Sequence, residues 1–174
     1  METMFHYPEP NEYLAYYDKY VSLVPKANIL DTLAQQKDVT LRLLGDIPES
    51  RSQFRYAPGK WSVKEVVGHV IDAERVFAYR ALRFSRTDKQ PLPGFDQEPY
   101  IQFGNYDACL LRELADEFAH VRQSTILLFK HMGDDAWLRT GVASDAEVSV
   151  RALAYIIAGH ETHHMQILRT KYLE

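Results

Sequence analysis

Through most of the chain, apolar residues recur at the spacing of an amphipathic helix, and no region alternates apolar and polar positions between hairpin turns. The pattern predicts a mostly α-helical protein. After the extended opening His6-Tyr7-Pro8-Glu9-Pro10, Asn11 can cap a short segment rich in tyrosine (Tyr13, Tyr16, Tyr17, Tyr20), which runs to about Val24 before Pro25 breaks it. Asn28 is placed to cap a helix over 28–45, with Leu30, Leu33, Leu41 and Leu44 as apolar contacts and Gly45 followed by Pro48 as its stop. Behind the turn Tyr56-Ala57-Pro58-Gly59-Lys60-Trp61, Ser62-Val63-Lys64-Glu65 is a capping box, and the helix it opens is expected to reach about Arg86. Residues 87–106 hold Pro91, Pro93, Gly94, Pro99 and Gly104 and read as a long irregular crossover. Asp107 then caps a helix to about Met132, ended by Gly133. Past a turn at Asp134-Asp135-Ala136-Trp137, a last helix begins at Ser144, a second capping-box match through Glu147, or at Ser149, and continues almost to Glu174. Four long helices and one long crossover predict an all-α four-helix bundle spanning 1–174 as one domain, an architecture that builds sites from side chains on facing helices.

The composition narrows the class of partner. With 174 residues, 20 Lys+Arg against 24 Asp+Glu and a formal charge of −4, no global field draws the protein to nucleic acid or to an anionic membrane. No stretch approaches the roughly 20 apolar residues of a membrane helix. The one cysteine, Cys109, can form neither an intrachain disulfide nor a Cys-rich zinc site, and reads as a small apolar filler in a reducing compartment. A soluble cytoplasmic protein is the expectation.

In the last helix, Leu153, Ile156, Ile157, Ile167 and Leu168 share one stripe, and His160 and His164 fall in the middle of it. A lone buried histidine is commonly a hydrogen-bonded core residue. Two at i and i+4, with β-carbons about 5–6 Å apart, can also share a divalent metal at about 2.1 Å from each nitrogen. His163 lies off the stripe and reads as a rim residue. His160-Glu161-Thr162-His163-His164 fits H-E-x-x-H formally, but the downstream ligand and the sheet of a zinc protease have no counterpart here, which leaves Glu161 a weak candidate base. His69, at the edge of the apolar arc formed by Val63, Val66, Val67, Val70, Phe77 and Ala81, is the best third ligand. His6, His120 and His131 are weaker. Glu74 projects into the centre of the same arc, where a carboxylate must be paired, hydrogen-bonded or protonated; a buried ion pair with an arginine such as Arg80 is one reading, and orienting a histidine or acid/base work the other.

The stretch Gly59-Lys60-Trp61-Ser62-Val63-Lys64-Glu65 through His69, with Asp72 and Glu74 following, and the later Gly159-His160-Glu161-Thr162-His163-His164 together resemble the DinB-like superfamily. That family includes bacterial proteins named as metal-dependent hydrolases and bacillithiol transferase-like proteins. The resemblance implies an up-up-down-down bundle with an open site carrying a divalent metal, usually nickel or zinc with manganese or iron as further options, on three histidines. By motif position these are His69, His160 and His164. It further implies a homodimer, and a metal-dependent enzyme that activates a low-molecular-weight thiol for transfer to an electrophilic small molecule. A metal-dependent hydrolase is the alternative within the enzyme class. A stress protein that binds metal or a small ligand without turnover is the alternative outside it. The crossover from Thr87 to Tyr106, with Gly94-Phe95-Asp96, is expected to close over the site or to build the dimer interface.

Overall fold

The long helices begin where their caps are local. In a computed structural model that describes residues 6–173, Asn28 accepts hydrogen bonds from the Leu30 and Asp31 amides and opens Ile29–Gly45 (α2), preceded by the short Asp18–Val21 (α1). At Val63–Ser85 (α3) the Ser62 hydroxyl accepts from the Glu65 amide at 3.2 Å, while the Glu65 carboxylate accepts from the Ser62 amide at 2.7 Å. The crossover is not wholly irregular: Asp96 caps the short helix Gln97–Phe103 (α4) by accepting from the Glu98 amide.

Two expected caps fail. Asn11 lies inside a 3-10 turn, Pro10–Glu12, where Glu12 reaches back to the Glu9 amide at 2.8 Å. Asp107 belongs to another 3-10 turn, Tyr106–Ala108, and the next helix starts only at Leu111–Lys130 (α5). The Leu111 amide there donates to the Glu49 carboxylate at 2.9 Å, a partner 62 residues away that no local motif announces.

The stretch before the last helix is a hairpin, Thr140–Ala143 (β1) against Ala146–Ser149 (β2), with Ala143 opposite Ala146. Its two turn residues, Ser144 and Asp145, sit at φ 54° and 61°, the left-handed backbone of a tight hairpin turn. Ser144 is therefore a turn residue, and Ser149 caps Val150–Ile167 (α6) by accepting from the Ala152 amide at 2.9 Å. The crossover pairs with this hairpin, Leu92 donating to the Val142 carbonyl and accepting from the Ser144 amide.

The bundle has two apolar ends. One gathers Ile29 and Leu33 of α2, Phe84 of α3, Phe129 of α5 and Leu153 of α6; the other gathers Leu44, Val63, Leu111 and Met165 of the same four helices. α2 and α6 therefore run one way and α3 and α5 the other, which is up-down-down-up in chain order and corrects the up-up-down-down order implied by the resemblance. The physical cause is connection length: the stretch between α2 and α3 reverses the chain, while the crossover carries it back along the bundle so that α5 starts beside the start of α3. Among the described residues no helix is long and apolar enough to cross a membrane.

Candidate metal centre

His69 stands two turns into α3, and His160 and His164 one turn apart on the antiparallel α6. The structure brings the three together. One ring nitrogen from each lies within 4.8 Å of the other two, and the Nε2 atoms of His69 and His160 are 3.0 Å apart. Glycines let the surrounding loops close on these histidines. A β-carbon added at Gly68 would overlap the Tyr106 ring, and one at Gly159 the Tyr20 carbonyl group. Tyr20 packs edge-on to His160 at 5.2 Å between ring centres, and Trp61 lies 4.8 Å from His69.

His69 and His160 are buried and His164 is partly so. Burial pushes His69 down to about 4 and His164 to about 3, and holds His160 well below the ordinary range. At neutral pH all three rings are uncharged and each has a lone pair to give. Three neutral nitrogen donors, with no carboxylate or thiolate among them, fit a divalent cation such as zinc or nickel better than calcium or magnesium.

Beside the histidines an open cavity of about 430 Å³ is lined by His69, His160, Tyr17, Tyr20, Phe77 and Phe95 among others, with Asp96 the one carboxylate on its wall among the described residues. Neither Glu74 nor Glu161 lines it. Both meet Arg122 of α5, whose guanidinium has no exposed surface. Glu74 receives its Nε and Nη2 at 2.9 and 2.8 Å, and the Glu161 carboxylate lies 2.5 Å from Nη1. The buried partner of Glu74 is thus Arg122, and Arg80 instead donates to the Pro93 carbonyl and the Ser144 hydroxyl. Burial raises Glu161 toward its protonated form and Arg122 opposes it, while Thr40 donates to its other oxygen at 2.6 Å. Both carboxylates are thus turned to Arg122 and away from the cavity wall. His163 packs on Tyr20 outside the trio, His120 and His131 are exposed on α5 and at its end, and His6 is exposed.

Residues 32–168 match the DinB superfamily. The chain belongs to that superfamily. Among solved structures this DinB-superfamily protein is similar to YfiT from Bacillus subtilis, a probable metal-dependent hydrolase with an unusual four-helix bundle topology, at TM-score 0.63 and 14% identity over 97% of each chain. It is also similar to a mycothiol-dependent maleylpyruvate isomerase at TM-score 0.66 and 11% identity; the match covers 84% of this chain but spans only 61% of that protein's length. At such identities the likeness is one of fold. No curated protein matches the sequence.

Several residues of the DinB site were not singled out by the sequence pattern. Arg122 carried a readable signal, since it stands on the buried stripe Leu114, Phe118, Thr125 and Phe129 of α5, where a charge must have a partner. Tyr20 and Ser144 carried none. They reach the cavity wall through a 3-10 and helical opening segment and a hairpin turn, neither of which has a periodicity to follow.

Proposed function

We propose that this protein is a metal-dependent enzyme in which His69, His160 and His164 hold one divalent cation, zinc or nickel, and that it activates a low-molecular-weight thiol for transfer to an electrophilic small molecule. The observation that carries the reading is the convergence of three neutral imidazole nitrogens, two of them, on the buried His69 and His160, at the wall of an open cavity. When bound, the cation would supply a Lewis acid that lowers the pKa of a thiol presented to it. The chain supplies the rest. Glu74, Arg122 and Glu161 fasten α3 and α6 to α5 behind the histidines and so fix their spacing. Tyr17, Tyr20, Phe77 and Phe95 give the cavity apolar walls that limit water around the reacting atoms.

Thiol chemistry is favoured over hydrolysis because Glu74 and Glu161 are engaged by Arg122 and Asp96 is engaged in capping α4 at the Glu98 amide, whereas water, a much weaker acid than a thiol, gains more from a positioned base. A homodimer is the assembly we propose, following the family resemblance, and sedimentation tests it. The function is tested by metal content of untagged protein, wild type beside His69→Ala and His164→Ala, followed by thiol consumption with electrophile panels. One metal per chain, lost in both variants, with thiol-dependent turnover supports the reading. A metal-free wild type after incubation with zinc, nickel and manganese would overturn it.

A further inference from the structure

Four cationic side chains are buried among the described residues: Lys64, Arg80, Arg122 and Arg151. Three face a carboxylate, Lys64 that of Glu49, Arg122 those of Glu74 and Glu161, and Arg151 that of Glu12. Arg80 differs. Its side chain is 3% exposed, and it makes no ion pair with any described residue; its Nη2 donates at 3.0 Å to both the Pro93 carbonyl and the Ser144 Oγ, with the rings of Phe77 and Phe95 at 5.7 and 6.0 Å. The exposed Glu147 shares a small recess with Arg80 but makes no ion pair with it. Burying a cation without a counter-charge is costly, and the other three buried cations avoid that cost.

Phe77, Phe95 and Ser144, three of the four groups around Arg80, also line the cavity beside His69 and His160. Because Ser144 Oγ accepts from the guanidinium, its own O–H is left to donate, and the charge behind it makes it a stronger donor. The turn holds Ser144 at φ 54°, and its amide is fixed on the Leu92 carbonyl. Gly94 keeps the space beside the hydroxyl clear, since a β-carbon there would come to 3.3 Å from Oγ.

We propose that Ser144, backed by Arg80, anchors the carboxylate of an organic acid whose apolar body lies among Tyr17, Tyr20, Phe77 and Phe95 and whose reactive end faces His69 and His160. The proposal names the substrate class of the cavity described above and rests on that reading for where reaction occurs. A singly charged carboxylate suits the site better than a phosphate dianion, because Asp96 stands on the same wall and only one buried cation backs the anchor.

The test uses 4-phenylbutanoate and the matched neutral 4-phenylbutanamide, titrated by ligand-observed NMR into the protein as purified, in wild type, Ser144→Gly and Arg80→Met. Glycine is at ease at a positive φ, so Ser144→Gly keeps the turn even if Arg80→Met folds poorly. A hydrogen bond to a charged group is worth about tenfold in affinity, so wild type should prefer the acid about tenfold, with most of that preference gone in Ser144→Gly. Equal affinity for acid and amide, binding of neither, or a preference unchanged in Ser144→Gly would each overturn the anchor. Metal content is read in the same samples. A wild type that stays metal-free after incubation with zinc, nickel and manganese sinks the three-histidine reading alone, because the change between wild type and Ser144→Gly is set by the hydroxyl and not by any metal–carboxylate bond.

Discussion

Arg122 and Glu74 form a two-pronged ion pair, Nε to Oε1 at 2.9 Å and Nη2 to Oε2 at 2.8 Å, with no part of the guanidinium exposed. Glu161 closes on Nη1 from α6, and the Leu33 carbonyl of α2 accepts from the same nitrogen at 3.3 Å. Four helices thus meet at one cation. Replacing it, as in Arg122→Met, leaves two carboxylates buried together, and a loss of about 3–5 kcal/mol in urea unfolding is expected. Glu74→Gln should cost less, because Glu161 still faces the guanidinium. Equal costs would mean that the pair, rather than the whole cluster, carries the stability.

The ligand set makes a pattern of losses. His69→Ala, His160→Ala and His164→Ala should each strip the metal, while His163→Ala should retain it, since the His163 ring packs on Tyr20 outside the trio. Mass spectrometry of the four purified variants reads this directly, and equal loss in all four would sink the assignment.

The same histidines set an acid limit on stability. Burial lowers His69 to about 4 and His164 to about 3, from 6.5 in an open chain. Above pH 6.5 neither state takes up a proton at these rings, and the stability they affect is intact. As pH falls from 6.5 toward 4, the unfolded chain binds protons that the folded one refuses, so stability drops by up to about 1.4 kcal/mol per group per pH unit. Urea midpoints of metal-free protein should therefore fall across that window, and fall less steeply in His164→Ala. A flat profile between pH 7 and 4 would show that the rings charge within the folded state.

Gly159 is held to glycine by close approach. In Gly159→Ala the new methyl overlaps the Tyr20 carbonyl, so α1 must retreat from α6 and take the Tyr20 ring off His160. A loss of about 1–3 kcal/mol is expected, with faster hydrogen exchange over residues 18–21. Gly45→Ala is the control: a β-carbon added there meets nothing within 4 Å outside its own helix turn, and the change should leave stability unchanged or raise it by up to about 1 kcal/mol.

Elements were legible where their signals are local. Asn28 and the Ser62–Glu65 box placed α2 and α3 to within a residue or so because the cap and its partners are neighbours in the chain. The start of α5 was misplaced because Leu110 offers no capping hydrogen bond from its side chain, and the amides there are held by Glu113 reaching back and by Glu49, 62 residues away. The hairpin escaped notice because its strands have four residues each and its Ser144-Asp145 turn carries no glycine. Helix direction leaves no trace in a periodic pattern, which reads alike both ways along an axis. The three histidines were legible in part: the i, i+4 pair follows from the stripe of α6, while His69, the best third ligand on its own helix, stands only at the edge of its arc and gained weight from the family resemblance.

His69 and His160 are separated by 91 positions along the chain. An ion held by both ties a loop of that length, and the entropy such a tie removes from the open chain grows with the logarithm of the loop. During synthesis α2, α3 and α5 emerge first, with His69 lacking its partners until α6 docks against α3. Metal uptake would therefore wait on the docking of α6, and metal carried through purification would mark the molecules in which α6 had closed on α3.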